Sequence, residues 1–97
     1  MKAMLLRGIA PLAQNSSPLT LEDIPDPTIG KDEILIRVTR CGVCHTELDE
    51  IEGRTPPPRL PVIPGHQVVG RIVEGVNKGQ RVGVAWIASA CGKCDFC

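Results

Sequence analysis

The sequence predicts a mainly β fold: a small, partly open β-barrel with one short helix and long loops. Three observations carry this. Gly (10) and Pro (9) together make up about a fifth of the 97 residues, and both are poorly tolerated inside helices. Trp86 and Phe96 are the only large aromatics, so the core must be built from Val, Ile and Leu, which suit strands. Five or six short apolar runs are separated by turn-forming stretches, the spacing of strands joined by loops. One domain is expected at this length.

Residues 1–7 form the first apolar run and 19–24 the second, with the polar turn Pro11-Leu12-Ala13-Gln14-Asn15-Ser16-Ser17-Pro18 between them. Asp26-Pro27-Thr28-Ile29-Gly30 is another turn. Residues 34–40 are the clearest strand, with Ile34, Ile36 and Val38 on one face and Arg37 and Thr39 on the other. From His45 to Glu52 the period changes. Leu48 and Ile51 lie three apart as on one helix face, Thr46 and Asp49 resemble a weak cap, and Gly53 offers a stop. One or two helical turns are predicted there. Residues 55–64 carry five prolines and must be loop or extended chain. Residues 68–76 and 81–87 read as the last strands.

Eleven basic and eleven acidic side chains cancel, which argues against a nucleic-acid partner held by bulk electrostatics. No apolar run is long enough to span a membrane, and the first residues are too few and too polar for a secretory signal. A cytoplasmic location is expected. Five cysteines, an odd number without a secretory signal, point to metal ligation rather than to a disulfide framework.

The thiols fall in two places. Cys91-Gly92-Lys93-Cys94-Asp95-Phe96-Cys97 presents a thiol at every third position, a spacing that lets three sulfurs curl around one soft cation. Cys44 follows the long strand, and His66 stands in Pro64-Gly65-His66-Gln67 at the mouth of the next. A thiolate and an imidazole are two good Zn²⁺ ligands, and a catalytic zinc needs a third plus an open position. Each residue alone has a plainer explanation, His66 as a satisfied loop histidine and Cys44 as a small buried hydrophobe.

Taken in order, Gly42-Val43-Cys44-His45-Thr46-Glu47, Pro64-Gly65-His66-Gln67-Val68-Val69-Gly70, Gly79-Gln80-Arg81-Val82 and Cys91-x-x-Cys94-x-x-Cys97 resemble the zinc-dependent alcohol dehydrogenases of the medium-chain dehydrogenase/reductase superfamily. The likeness covers essentially the whole chain and is to the N-terminal, GroES-like catalytic domain. It implies that Cys44 and His66 are catalytic-zinc ligands, with the family's third ligand well downstream. Zinc would make a substrate hydroxyl more acidic, and hydride would pass from the carbinol carbon to a nicotinamide. Thr46 matches the hydroxyl that receives the alcohol proton, His45 the contact to the cofactor pyrophosphate, and Trp86 a pocket wall that limits substrate size. For Trp86, core packing is an equal alternative. Cys91, Cys94 and Cys97 match three ligands of a structural Cys₄ zinc whose fourth member would lie beyond position 97.

This sequence departs from the family pattern in several places. Gln67 stands where Glu usually follows the ligand His, and Glu47 replaces the usual Asp three residues after the ligand Cys. Both are expected behind the metal, with Glu47 orienting His66. Asp49 occupies the position of the frequent relay His, Gln80 that of an Asp, and the connection from Val73 to Arg81 is short. No Gly-x-Gly-x-x-Gly between a strand and a helix is present, so residues 1–97 are expected to be an incomplete GroES-like domain without a Rossmann domain. NAD or NADP would bind only once such a domain completes it. Alone, the chain is expected not to oxidise alcohols, whether it is part of a longer enzyme or a truncated paralogue. Two rival expectations remain: a non-catalytic zinc module using Cys41, Cys44, Cys91 and Cys94, and a self-associating homo-oligomer. The partner otherwise expected is a small alcohol or aldehyde, with no nucleic acid or membrane.

Overall fold

The computed structural model describes residues 1–87 and 89–97. Five strands and one helix follow in the order β1 (Lys2–Leu6), β2 (Leu19–Asp23), β3 (Leu35–Gly42), α1 (His45–Glu52), β4 (Gln67–Glu74) and β5 (Arg81–Val84). They form two antiparallel sheets, β1-β2 and β3-β4-β5. β1 and β2 pair from Lys2↔Asp23 to Leu6↔Leu19. The mainly β, open architecture expected from the sequence is what forms. The two sheets do not close into a barrel among the described residues.

Alternation along β3 is less regular than the sequence pattern implies. Register shifts fall between Leu35 and Ile36, where the unpaired residue is Val73 of β4, and between Val38 and Arg40, where it is Thr39 of β3, and such an extra residue locally disrupts the ladder. Leu35 and Ile36 are half-buried while Ile34 and Val38 are exposed, so the simple alternation of Ile34, Ile36 and Val38 against Arg37 and Thr39 fails. The strand also runs on to Gly42, which carries the chain directly to Cys44.

The last two strands are shorter than the apolar runs. β4 stops at Glu74 because Gly75, Asn77 and Gly79 all take positive φ, which makes a turn. Gln80 N–H donates to the Asn77 carbonyl at 3.0 Å, Gly79 N–H to Ile72 at 2.8 Å, and Ile72 N–H to Gln80 at 3.0 Å. This tight hairpin accounts for the short connection before Arg81. β5 ends at Val84, so residues 85–87 leave the sheet.

α1 occupies the predicted span and ends as predicted: Gly53 takes φ 83° and its N–H reaches the Asp49 carbonyl. A Cβ at Gly53 would also stand 2.7 Å from Ile9 Cγ2, so glycine is needed for space as well as conformation. The cap at the other end differs from the Thr46–Asp49 expectation. Cys44 is the N-cap, and Glu47 reaches back so that Oε2 accepts the Cys44 backbone N–H at 2.7 Å. Glu47 holds the third helical position, where a carboxylate can fold back in this way.

The buried apolar set is small: Ala3, Leu5 and Leu6 from β1, Ile51 from α1 and Ile72 from β4. Leu6 is wholly buried and ties the proline-rich loop to β1 through reciprocal backbone bonds with Val62, at 2.8 and 3.0 Å. That loop thereby supplies a fixed platform from which residues 64–66 approach the helix. The Ala10 N–H to the Ile51 carbonyl (3.1 Å) and the Leu12 N–H to Glu52 Oε1 (3.1 Å) fasten the first loop to the end of α1.

Candidate functional site

His66 comes from the end of the proline-rich loop, and Gly65 makes its approach possible. Gly65 has φ 120°, and a Cβ there would meet Cys41 Sγ at 2.7 Å. A residue with a side chain would be both strained and blocked. The turn brings His66 Nε2 to 3.5 Å from Cys44 Sγ across 22 residues of sequence. Cys44, Glu47 and His66 offer ligand atoms all within 4.8 Å of one another.

Glu47 serves both partners. Its Oε2 accepts the Cys44 backbone N–H, and its Oε1 lies 3.0 Å from His66 Nδ1. The second contact is an ion-pair distance without hydrogen-bond alignment, so Oε1 is buried with no donor among the described residues. Burial pushes the Glu47 carboxyl up. The backbone N–H groups of Cys44 and Glu47, the Cys44 thiol and the His66 charge outweigh this and hold it below the ordinary glutamate range. An anionic carboxylate behind Nδ1 favours a proton on that nitrogen and leaves Nε2, the nitrogen facing Cys44, as the donor for a cation. An orphaned buried carboxylate oxygen carries an energetic penalty, which a cation at the imidazole would offset. The residues therefore fit a zinc ion.

Trp86 stacks edge-on against His66, with ring centroids 4.6 Å apart and planes at 65°. It is 67% exposed among the described residues. With Thr46, Asp49 and Glu50 of α1 and Thr55, Pro56, Pro57 and Pro58 of the loop, it lines a cleft of about 340 Å³. The proline wall was missed in the sequence, although Pro56-Pro57-Pro58 is itself a visible signal of a stiff segment. Asp49 also faces His45, whose Nδ1 lies 3.3 Å from Oδ1, and is paired with Arg54. Arg54 holds the Asp49 carboxyl below its ordinary range, against a smaller opposing effect of burial. Nothing in the sequence reading singled out Arg54, which also pairs with Glu52. His45 stays largely exposed.

Gln67 pairs with Gly42 across β3 and β4, and its Oε1 lies 2.5 Å from where a Cβ on Gly42 would stand. The second thiol cluster is separate and exposed. Cys97 Sγ lies 3.3 Å from both Cys91 Sγ and Cys94 Sγ, and the three form one group within 4.8 Å. The Lys93 backbone N–H, then the Cys97 thiol and contacts from Cys94, bring the Cys91 thiol down to about 6. Cys41 belongs to neither group among the described residues, which gives no support to a single Cys41–Cys44–Cys91–Cys94 site. All five cysteines are free thiols.

This open β domain, with a thiol and an imidazole meeting between a strand end and a loop, belongs to the alcohol dehydrogenase GroES-like domain family, which matches residues 30–97. An alcohol dehydrogenase of Geobacillus stearothermophilus is 45% identical over 95 residues, covering 91% of this chain and 28% of that protein. One from Moraxella sp. (strain TAE123) is 44% identical with the same coverage. An acryloyl-coenzyme A reductase of Sulfurisphaera tokodaii is 44% identical over 82 residues, 79% of this chain and 25% of that protein. The crystal structure of AibC superposes with a TM-score of 0.83 at 32% identity, covering all of this chain and 27% of that one. The chain thus spans about a quarter of the length of the relatives it matches. Among the described residues, no helix is long and apolar enough to cross a membrane.

Proposed function

We propose that residues 1–97 are the catalytic-zinc portion of a cytoplasmic zinc-dependent alcohol dehydrogenase, oxidising a small alcohol to an aldehyde or ketone with NAD or NADP. The approach of Cys44 Sγ to His66 Nε2 at 3.5 Å carries this reading. Zn²⁺ held there would supply Lewis acidity, making a substrate hydroxyl easier to deprotonate. The chain's own residues do the rest of the positioning. Glu47 fixes the ring of His66 and the backbone of Cys44 at once. Thr46, which lines the cleft, would take the alcohol proton on its hydroxyl. Trp86 and Pro56–Pro58 wall the cleft and keep it narrow, which favours a small substrate. His45, at the exposed start of α1, is available to a cofactor phosphate. Asp49 stands where the family's relay histidine would be and is paired with His45 and Arg54, so proton exit would follow a different route. The Cys91–Cys94–Cys97 turn contributes to a separate structural zinc. The names of the relatives, reductase as well as dehydrogenase, favour nicotinamide chemistry of this general kind. A Rossmann domain supplied with this portion would hold the nucleotide, and without it the chain should not turn over alcohol, since reaction requires both reactants to be held together.

Elemental analysis of protein purified without chelator tests the two-site reading. Cys44→Ala should lose one metal and keep the other, and Cys91→Ala should do the reverse. Loss of the same single metal in both variants would show one shared site and sink the proposal.

A further inference from the structure

We infer that the outer face of β3-β4-β5 is a binding surface for a linear inorganic oligophosphate of the triphosphate class. The register sets three arginines in one row across the sheet: Arg37 is the direct partner of Arg71, and Arg71 of Arg81. Residues directly opposite in antiparallel strands project to the same face, and adjacent strands lie about 4.8 Å apart. Gly70 and Ile72, the neighbours of Arg71 along β4, are buried on the other face, while Arg37, Arg71 and Arg81 are exposed. Arg40, opposite Val69, joins the same outer face two positions along β4 from Arg71.

Like charges placed directly opposite one another destabilise a sheet, and here two such pairs share one central residue. β3, β4 and β5 carry four arginines and a single acid, Glu74. The ion pairs among the described residues use the N-terminus, Arg7, Arg54 and the two histidines, and none uses an arginine of this face. The chain as a whole is neutral, so positive charge is segregated here and sets up a local field that attracts anions. Arg71 Nη1 donates to the Gly79 carbonyl at 3.0 Å, which steadies the central guanidinium against the turn after β4.

The row selects the anion. Guanidinium forks bind phosphate oxygens through parallel charge-assisted bonds. A single phosphate would have to draw three like charges together over one ion. A linear triphosphate lies along the row, so each guanidinium stays above its own strand and meets its own phosphoryl group. A nucleotide base gains nothing on this face, because stacking needs an aromatic ring. Trp86 packs against His66, and Phe96 stands in the thiol turn. An acidic peptide carries its charges on separate side chains and must order its backbone to align them, whereas an oligophosphate holds them on one short covalent chain.

Isothermal titration calorimetry of the full 97-residue chain with sodium triphosphate at low ionic strength tests this. One triphosphate per chain is expected, bound more tightly than pyrophosphate or sulfate and at least as tightly as ATP. Arg71→Gln should weaken it about tenfold, the worth of one charge-assisted contact. Arg37→Gln and Arg81→Gln should weaken it similarly, and neither disturbs the Arg71–Gly79 bond. Arg59→Gln, in the exposed proline-rich loop, should leave binding unchanged. All four variants keep every cysteine and histidine, so any capture of zinc by the probe is the same in each and cancels. Sulfate binding as tightly as triphosphate, ATP binding more tightly than triphosphate, a loss in Arg59→Gln equal to that in Arg71→Gln, or displacement of triphosphate by an equimolar tetraglutamate peptide would each overturn the assignment.

Discussion

One carboxylate, Glu47, joins three pieces of chain that are distant or differently folded: the end of β3, the first turn of α1 and the loop that delivers His66. Its Oε2 closes the helix on the Cys44 N–H while its Oε1 stands behind His66 Nδ1. An aspartate at this position has a shorter reach, so the longer side chain found here suits the double task. Glu47→Gln keeps a side chain able to fold back on the helix but removes the charge behind the imidazole. The expected outcome is a loss of about 10–100-fold in zinc affinity at the Cys44–His66 site, the usual effect of losing an outer partner of a metal-bound histidine. Metal at the Cys91 cluster should be unaffected. Competition with a chromophoric chelator would measure both, and an unchanged affinity at the first site would mean that Glu47 does not orient the ligand. The pairing of Cys44 with His66 was legible from motif order. The cap was not: Thr is the better N-cap by propensity, yet the helix begins one residue after Cys44 because β3 runs on to Gly42 and Glu47 can reach back. That choice depends on where β3 ends, which the local sequence does not contain.

At the scale of elements, the helix span and its glycine stop were readable because both are local. Strand ends were less so. The two register shifts between β3 and β4 and the positive-φ turn after β4 depend on pairing partners, and pairing is a property of two segments rather than one. The β1-β2 ribbon shows how such pairing is reinforced from outside the pattern. Arg7 Nε and Nη2 contact Glu22 Oε1 and Oε2 at 2.7 and 2.6 Å, and Thr20 Oγ1 adds a bond to Oε1 at 2.8 Å. The Arg7 guanidinium, then the Thr20 hydroxyl, bring the Glu22 carboxyl down from 4.5 to about 2. A carboxyl depressed in the folded state stabilises it above the unfolded value and loses that contribution as pH falls. Urea midpoints should therefore separate wild type from Glu22→Gln near pH 7, converge between about 4.5 and 2, and coincide below that window. The pair is solvent-facing, so the separation will be small. A difference that persists unchanged at the acid end would place the effect of the substitution in packing rather than charge.

The whole molecule is held by a thin core. Among the described residues five apolar ones are buried, while a groove of about 810 Å³ between the two sheets is lined by Met4, Leu35, Ile36, Val38, Val43 and Val68, among others. Val38 and Val43 are 52% and 82% exposed. A contiguous apolar face of this kind is unusual on a monomeric soluble protein and drives association. For a chain of this size with so little buried, the free energy gained by covering that groove is comparable to the stability of the fold itself. The 97-residue chain is therefore expected to self-associate with rising concentration and to bind an apolar dye when dilute. Sedimentation velocity across a concentration series would register the first, and fluorescence of the bound dye the second. Val38→Glu, which places a charge in the groove at an already exposed strand position, should shift association to higher concentration without removing either metal site. A species that stays monomeric throughout the series and leaves the dye dark would mean that the sheets cover their own inner faces in solution. The open arrangement of β1-β2 against β3-β4-β5 would then be wrong, whatever the fate of the zinc ligands.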